Sequence, residues 1–331
     1  MNSLNGGTAQ IAERLIVYLR NELNDSTIEY DVSLEQLHGG FETHIYQFQL
    51  KSSPKELNTP LVLRLYPEFR DPLNAVWENN IQNVLANEGY PVPRAYIICK
   101  DKSILGGAFF IMDFLPGEPT LTPIEVVPEM LGKTHAALHK INPKGLIKSL
   151  NDQGIDENQY RLSNHYNNLQ TIAKELPWIR DIADWLIEKR PPEPDRLAIC
   201  HRDFHPLNIL IQDGNVTGVL DWGQFLIADP TLDIASTLIL LTINAKHLAS
   251  AVLGPDFESV DWEMISMRYL DAYRTQFPLD TTHMDYYKVG KSFGTLLDGL
   301  WGQESLRHPL IVKDLTDYIR NVTGILITMP A

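Results

Sequence analysis

The chain contains little cysteine and little positive charge. Its two cysteines, Cys99 and Cys200, lie in apolar runs and show no C-x-x-C or metal-binding spacing. They exclude a disulfide-rich secreted scaffold and indicate buried, reduced thiols. Lys and Arg number 28 against 42 Asp and Glu, which gives a formal net charge of −14. This balance argues against nucleic acid or an anionic membrane as the main partner, and it leaves a cationic small molecule open.

Long hydrophobic runs, internal repeats and a leader sequence are missing as well. The longest apolar run, Ser236–Ile243, is much shorter than the roughly 20 residues that span a bilayer. Residues Met1–Thr8 are polar and lack the apolar segment of a signal peptide. We therefore expect a cytoplasmic protein with no membrane partner. With 331 residues and 44% apolar content, it can bury a large core and suits two lobes or domains.

Polar residues cluster around two predicted strands in the middle of the chain. Leu197–Cys200 is typical of a buried strand, and Asp213-Gly214-Asn215 is a hairpin signal. Asp203, Asn208 and Asp221 therefore lie at or near strand ends, and the hairpin brings the last two together. Their side-chain oxygens suit Mg²⁺. Asp203 would stand beside the metal pair, free to accept a proton from a hydroxyl.

The order of these residues is that of the catalytic and metal loops of a kinase. H-R-D-x-x-x-x-N corresponds to His201–Asn208, and D-x-G corresponds to Asp221–Gly223. Each residue type alone is common in turns. Three of them in this order, on strands joined by a hairpin, indicate a phosphoryl-transfer site.

The same stretch resembles the aminoglycoside phosphotransferase-like family of small-molecule kinases, which includes the choline kinases and shares the protein-kinase fold. The resemblance continues through Asp229–Ala235, which is similar to the family's D-P-x-x-D-h-A segment. Protein kinases instead insert a long activation segment that ends in A-P-E. Only a few residues separate Gly223 from Asp229 here and no A-P-E follows, so we expect no protein substrate.

The resemblance implies an α+β, two-lobed protein-kinase-like fold. Residues 1–115 would form an N-terminal nucleotide-binding lobe, a small antiparallel sheet with one helix. Residues 116–331 would form a larger, mainly helical C-terminal lobe for catalysis and acceptor binding. Mg²⁺ would be the metal cofactor and ATP or GTP the phosphoryl donor, bound between the lobes.

The resemblance also implies nucleotide-binding roles for residues of the N-terminal lobe. Gly39 and Gly40 lie between two predicted strands, where their backbone N–H groups would approach the phosphates. The turn is not a Walker A loop, because no Gly-Lys-Ser/Thr follows. Arg64 lies in the strand Pro60–Tyr66 where protein kinases carry Lys, and its predicted partner is Glu78 on the next helix. The alternatives are an edge-strand surface arginine and a solvated glutamate.

A second set of predicted nucleotide contacts lies on and after the apolar run Ala108–Phe114, which ends at Leu115-Pro116-Gly117. By resemblance this is the hinge between the lobes. Met112 would line the back of the nucleotide pocket, and Asp113 and Leu115 would offer main-chain contacts to the base. A plain interlobe linker is compatible with the same residues.

The resemblance also assigns the catalytic and metal residues. Asp203 would orient the acceptor hydroxyl and take its proton, and His205 would replace a phosphate-contacting lysine. Asn208 and Asp221 would hold Mg²⁺. His201 and Asp233 would brace the loop from behind.

Three functions remain open at this stage. The first is an O-phosphotransferase of the aminoglycoside type. The second is a metabolic kinase of the same fold with a sugar, homoserine or amino alcohol acceptor, and the third is a non-catalytic nucleotide-binding pseudokinase. Gly223 stands where choline-kinase-like proteins usually carry an acidic residue, which disfavours choline. His135 and His139 show zinc-ligand spacing, but without an H-E-x-x-H motif they are interpreted as structural or surface histidines.

Overall fold

The computed structural model describes residues 7–37, 43–51, 54–119, 124 and 126–329, apart from the side chains of residues 165–167 and 252–253. The chain divides into two compact units. The first comprises residues 1–118 and 210–223, and the second comprises residues 119–209 and 224–331. The functional boundary between residues 115 and 116 stays a prediction.

The N-terminal third of the chain is rich in strands. In chain order its elements are α1 (Thr8–Glu22), β1 (Glu29–Leu37), β2 (His44–Lys51), β3 (Pro60–Leu65), α2 (Leu73–Asn87), β4 (Ala95–Cys99), α3 (Lys102–Leu105), β5 (Phe109–Asp113) and β6 (Glu118–Pro119). The strands of the main sheet pair in the order β1-β2-β3-β5-β4, and each pair is antiparallel.

The rest of the chain is mainly helical. Its elements are α4 (Val127–Lys140), α5 (Lys144–Asp152), α6 (Leu162–Glu175), α7 (Arg180–Glu188), β7 (Ala198–Cys200), β8 (Ile209–Gln212), β9 (Asn215–Val219), β10 (Leu226–Ala228), α8 (Pro230–Ile239), α9 (Lys246–Leu253), α10 (Trp262–Gln276), α11 (Met284–Leu300) and α12 (Pro309–Thr323). A π-helical turn, Leu240–Ala245, connects α8 to α9.

Helix α1 covers one face of the sheet. Ile11, Leu15 and Leu19 recur at helical spacing and are buried, as the sequence predicts. The helix begins at Thr8 with Gly7 in the N-cap position and without a side-chain cap.

Alternate residues of β3 point to opposite faces of the sheet. Leu63 and its apolar neighbours on the same face belong to the core under α1. Val62 belongs to the opposite core, together with Ala75 of α2. Arg64 has the same parity as Val62, so it points toward α2. Because β3 pairs with β2 on one side and β5 on the other, Arg64 lies on a central strand and not at an edge.

Strands β8 and β9 form the predicted hairpin. Asp213 and Gly214 join them at φ values of +50° and +74°, the combination that a two-residue type I′ turn requires. The hairpin positions Asp221 two residues after the end of β9.

A continuous helical stretch runs through the second unit from α8 to α9. Residues Pro230–Ala251 are long and apolar enough to cross a membrane by length and composition, and they extend well beyond the apolar run seen in the sequence. However, 56% of the most apolar window is buried inside the protein, and buried Asp233 lies in the first turn. A helix in the core of a globular unit has the same composition.

Candidate active site

Arg64 forms a charged cluster with two carboxylates of the first unit. Its Nε atom lies 3.0 Å from Oε2 of Glu78, and its Nη2 atom lies 3.2 Å from Oε1 of Glu78 and 3.0 Å from Oδ1 of Asp221. Arg64 and Glu78 are 8% and 3% exposed, whereas half of the Asp221 side chain is exposed. The predicted Arg64–Glu78 pair is therefore present, and both surface alternatives are wrong. Burial lowers the pKa of Arg64, but the two carboxylates outweigh burial and raise it, so Arg64 stays charged.

The backbone holds Asp221 in an unusual conformation. Its φ is +64°, a value that non-glycine residues rarely adopt and that clusters at functional sites. The next residue, Trp222, is fully buried. Its Nε1–H donates to the carbonyl of Val219 at 3.0 Å, and its ring packs edge-on against Tyr90. This anchor fixes the chain while the carboxylate of Asp221 remains half exposed.

Gly223 lies directly against the Arg64 cluster. A Cβ atom at this position would lie 2.9 Å from Oε1 of Glu78, which is closer than a non-bonded carbon and oxygen normally approach. Any larger residue must displace a buried carboxylate that is already paired with Arg64. The cluster itself therefore favours glycine at position 223.

The residues predicted to contact the nucleotide base lie on and after β5. Met112 is buried on the strand. Asp113 donates its backbone N–H to the carbonyl of Arg94 at 3.0 Å, and its carboxylate accepts the hydroxyl of Tyr96 at 2.7 Å. No described residue shares a backbone hydrogen bond with Leu115. The backbone of Leu115 is thus open for a ligand, whereas the N–H of Asp113 is occupied, and all three roles stay predictions.

The predicted phosphate-covering turn falls outside the described residues. Gly39 and Gly40 lie between the end of β1 and the start of β2, which pair in the antiparallel sense. The two flanking strands are therefore confirmed, and the turn and the role of the glycines stay predictions.

In the second unit, the loop after β7 brings Asp203, His205 and Asn208 together. Phe204 and Pro206 point into the core, so the side chains of Asp203 and His205 remain about a quarter exposed. Asn208 donates from Nδ2 to the backbone oxygen of Asp203 at 2.9 Å and to its Oδ2 atom at 3.2 Å. This amide holds the Asp203 carboxylate in one orientation.

The charge state of Asp203 follows from its neighbours. Nε2 of His205 lies 3.5 Å from Oδ2 of Asp203. Burial raises the pKa of Asp203, but His205 and Lys291 outweigh burial and hold the pKa well below its usual range. Asp203 is therefore ionised at neutral pH. It is a weak base that can accept a hydrogen bond from a hydroxyl.

Asp233 fixes the backbone of the same loop. Its Oδ2 atom accepts the N–H of His201 at 2.5 Å, and its Oδ1 atom accepts the N–H of Arg202 at 2.6 Å. His201 in turn accepts the N–H of Asp203 on Nδ1 at 3.2 Å. Arg202 has a φ of +68°, and these bonds stabilise that strained conformation. The brace that the sequence predicts from His201 and Asp233 is present.

Lys291 of α11 also contacts the loop after β7. Its Nζ atom donates to the carbonyl oxygen of Arg202 at 3.2 Å. Burial lowers the pKa of Lys291, and the negative charge of Asp203 opposes this effect. Farther along the helix, burial raises the pKa of Asp298, and Lys291 opposes that effect. Asp203 therefore lies near both a basic group, Lys291, and an acidic group, Asp298.

Asn208 and Asp221 carry the oxygen donors that a Mg²⁺ site needs. Because Nδ2 of Asn208 faces Asp203, its Oδ1 atom is left for another ligand, and no described group donates to it. The carboxylate of Asp221 is half exposed. One neutral and one anionic oxygen fit the preference of Mg²⁺ for a few protein ligands plus phosphates and water. Asn208 belongs to the second unit and Asp221 to the first, and their joint binding of a metal stays a prediction.

Comparison with known families decides the class of the protein. A family model described as the phosphotransferase enzyme family, APH, matches residues 33–264. The chain belongs to this family. The match includes both the Arg64 cluster and the loop after β7, and the predicted membership of the phosphotransferase family is confirmed.

Relatives of this chain carry two kinds of name. Acyl-CoA dehydrogenase family member 11 of Homo sapiens is 26% identical over 211 residues, which cover 60% of this chain and 25% of that protein. Aminoglycoside 3′-phosphotransferase of Streptomyces fradiae is 26% identical over 229 residues, 64% of this chain and 83% of that protein. The chain therefore spans about a quarter of the acyl-CoA dehydrogenase relative and most of the aminoglycoside relative.

Solved structures share the fold. A thermostable mutant of an aminoglycoside phosphotransferase, in ternary complex with ADP and hygromycin B, has a TM-score of 0.59 and 15% identity over 94% of this chain and 99% of that chain. Plasmodium vivax ethanolamine kinase has a TM-score of 0.58 and 15% identity over 94% and 88% of the two chains. The predicted two-lobed α+β kinase-like fold is confirmed.

Sequence reasoning missed Lys291 as a neighbour of the candidate site. The apolar periodicity of α11 predicts the helix, but it does not show which polar residue faces the catalytic loop. Asp298 of the same helix lies close enough to Lys291 for each to shift the pKa of the other.

Proposed function

We propose that this phosphotransferase transfers the γ-phosphoryl group of ATP to a hydroxyl of a small molecule. The observation that carries the proposal is the Asp203–Asn208 pair: an ionised, partly exposed carboxylate held by a side-chain amide whose own oxygen remains open. ADP in the ternary complex of a fold relative supports an adenine nucleotide. GTP is the alternative donor.

Asp203 would act on the acceptor. Its carboxylate would accept a hydrogen bond from the acceptor hydroxyl and orient the oxygen in line with the phosphorus. Because the pKa of Asp203 is held low, proton transfer to it becomes favourable only as the new P–O bond forms. Orientation of the hydroxyl would therefore contribute more to the rate than early deprotonation. His205 would contact the transferred phosphoryl group from the same loop.

The Arg64 cluster would act on the donor. Its guanidinium would contact the nucleotide phosphates while Glu78 holds it in place. Asn208 and Asp221 would bind Mg²⁺, which when bound neutralises phosphate charge. The backbone of Leu115 would read the base edge, and the glycines at 39 and 40 would cover the phosphates.

Two acceptor classes have separate support. Similarity to the aminoglycoside 3′-phosphotransferase favours an aminoglycoside. The ammonium of Lys291, in contact with Arg202 and close to Asp203, favours a neutral or anionic metabolic acceptor, because a polycation would be repelled there. Since other relatives are named acyl-CoA dehydrogenases, hydroxyacyl thioesters of coenzyme A belong among the acceptors to be tested.

The decisive experiment compares nucleotide consumption by the wild type and by Asp203→Asn. Each protein receives Mg²⁺ with ATP or GTP and one of a panel of aminoglycosides, macrolides, amino alcohols, sugars, homoserine and hydroxyacyl thioesters. Turnover that depends on the acceptor and collapses in Asp203→Asn supports the proposal and identifies the acceptor. Nucleotide binding without turnover for any acceptor would instead favour a pseudokinase.

A further inference from the structure

Two buried histidines lie behind the catalytic loop. His135 and His139 are four residues apart on α4, and neither is exposed to solvent. Their Nε2 atoms lie 2.9 Å and 3.2 Å from the same atom, Oδ2 of Asp233. Asp233 is the carboxylate that accepts the N–H groups of His201 and Arg202. Each histidine is therefore one contact away from the backbone that presents the catalytic aspartate.

Two tyrosines of α10 complete this network. Tyr269 and Tyr273 are also four residues apart, and their hydroxyls lie 2.7 Å from the Nδ1 atoms of His135 and His139, respectively. An ionised carboxylate can only accept hydrogen bonds, so each Nε2 must carry a proton. A neutral histidine then has a bare Nδ1, which accepts the tyrosine O–H. Every donor in the network thus points toward Asp233.

A ring contact ties the network to the loop a second time. Phe204, which directly follows Asp203 in the chain, stacks on His135 with ring centroids 4.0 Å apart and an interplanar angle of 19°. Displacing His135 would disturb both the carboxylate that holds the loop and the aromatic ring beneath it.

The network also offsets the free-energy cost of burying the carboxylate of Asp233. A buried charge is stable only when it is fully hydrogen-bonded. Asp233 accepts two backbone N–H groups on one side and two imidazole N–H groups on the other. Burial raises the pKa of Asp233, but His135 and His139 outweigh burial and hold the pKa well below its usual range.

We propose that His135 and His139 are positioning residues for phosphoryl transfer. They hold Asp233 in the orientation in which it also accepts the N–H groups of His201 and Arg202, and so they fix the position of Asp203. The kinetic part of this proposal rests on the proposed function. Its structural part, the control of the loop backbone by the two histidines, is independent of that function.

The kinetic test compares His135→Leu with His135→Gln. The Gln side chain can still donate from Nε2 to Asp233, whereas Leu cannot. We expect kcat of His135→Leu to fall about ten- to hundredfold, as for other residues that orient a catalytic group through a neighbour. His135→Gln should retain most of the activity, and the Kd for ATP should change little in either variant. A fall in kcat of equal size for Leu and Gln would overturn the proposal.

A matched control removes a histidine–carboxylate pair elsewhere. Nε2 of His247 lies 2.8 Å from Oδ2 of Asp314, remote in sequence from the catalytic loop. His247→Leu should leave kcat unchanged. If it lowered kcat as much as His135→Leu, the effect would be general destabilisation and the proposal would fall.

The structural test needs no acceptor. In ¹H–¹⁵N spectra at neutral pH, both histidines should carry a proton on Nε2, and His135 should be the neutral tautomer. The amide protons of His201 and Arg202 should resonate far downfield, as short bonds to a carboxylate require, and should move upfield in His135→Leu. Unmoved amides in a folded variant would overturn the proposal. A stoichiometric metal ion lost in both His135→Leu and His139→Leu would also overturn it, because the Nε2 lone pairs would then bind the ion.

Failure of the proposed function can be distinguished from failure of the positioning role of the histidines. If no acceptor is turned over by the wild type, the proposed function fails, but the tautomers and the two amide signals still decide the structural role of the histidines. If turnover occurs and neither kcat nor the amide signals respond to His135→Leu, only the positioning role fails.

Discussion

Arg64 and Asp221 form an ion pair of 3.0 Å although 157 residues separate them in the sequence. The guanidinium that is predicted to contact nucleotide phosphates is therefore joined to the carboxylate that is predicted to bind the metal. A change at either residue should alter both functions of the first unit.

Arg64→Lys should weaken nucleotide binding. A single ammonium cannot reproduce the two-pronged contact with Glu78 while it also reaches Asp221. We expect the Kd for ATP to rise on the order of tenfold, in line with the loss of one charged hydrogen bond. Isothermal titration calorimetry with ATP and Mg²⁺ measures this. Arg274→Lys, an exposed arginine of α10, is the control and should bind ATP as the wild type does.

Gly223→Ala should act on the same cluster without changing any charge. The added methyl group would lie 2.9 Å from Oε1 of Glu78, so Glu78 must move away from Arg64. We expect a higher KM for ATP and a lower Tm. Gly294→Ala, in a helix position where a Cβ meets no atom within 4 Å, should keep the KM and raise the Tm slightly. Equal KM values for the two variants would show that the cluster tolerates the methyl group.

Asp221→Ala should abolish most of the activity while the protein stays folded. Its carboxylate is half exposed, so its removal does not open a cavity. Loss of a metal ligand should lower kcat about a hundred- to thousandfold, as loss of a focused electrostatic contact does elsewhere. Steady-state kinetics over a range of Mg²⁺ concentrations, with circular dichroism as the folding control, measures the effect. A fully active Asp221→Ala would contradict the metal assignment.

Lys291→Met should lower kcat and leave ATP binding intact. The variant removes the bond to the strained Arg202 carbonyl and a positive charge close to Asp203. We expect a loss on the order of tenfold. Lys288→Met is a matched control, because Lys288 is also partly buried on α11 and its pKa is likewise lowered by burial. The site assignment would be wrong if both variants lost the same activity.

The stability of the protein should fall in mild acid because of His135. Burial lowers the pKa of His135 to about 4, whereas in the unfolded chain it returns to about 6.5. Between these two values the unfolded chain binds more protons, so the free energy of unfolding decreases as the pH falls, by on the order of 3 kcal/mol in total. Urea denaturation across this range should show a shallower dependence for His135→Gln.

Local sequence rules predicted the parts of the site whose contacts are local. The run Pro60–Tyr66 predicted the strand that carries Arg64, and Asp213-Gly214-Asn215 predicted the hairpin. The motif order then grouped Asp203, His205 and Asn208 in one loop. These inferences need only the geometry of single elements and short turns.

Contacts between distant elements were not predictable in the same way. Helical periodicity shows that Tyr269 and Tyr273 share a face, but not that this face meets His135 and His139. The same holds for Lys291, whose neighbour depends on how α11 packs. A buried polar residue resembles a surface residue in sequence, because burial is decided by partners far away in the chain. The sequence therefore did not show whether His135 and His139 are structural or surface histidines.

The locked indole of Trp222 would limit which ion Asp221 binds in its proposed role as a metal ligand. The ring is fixed by the Val219 carbonyl and by Tyr90, so the backbone at Asp221 cannot retreat to widen a coordination shell. A small ion with short, fixed bonds matches such a rigid ligand, whereas Ca²⁺ needs more ligands at longer distances. Discrimination between ions of equal charge would thus originate in an aromatic side chain that never touches the metal.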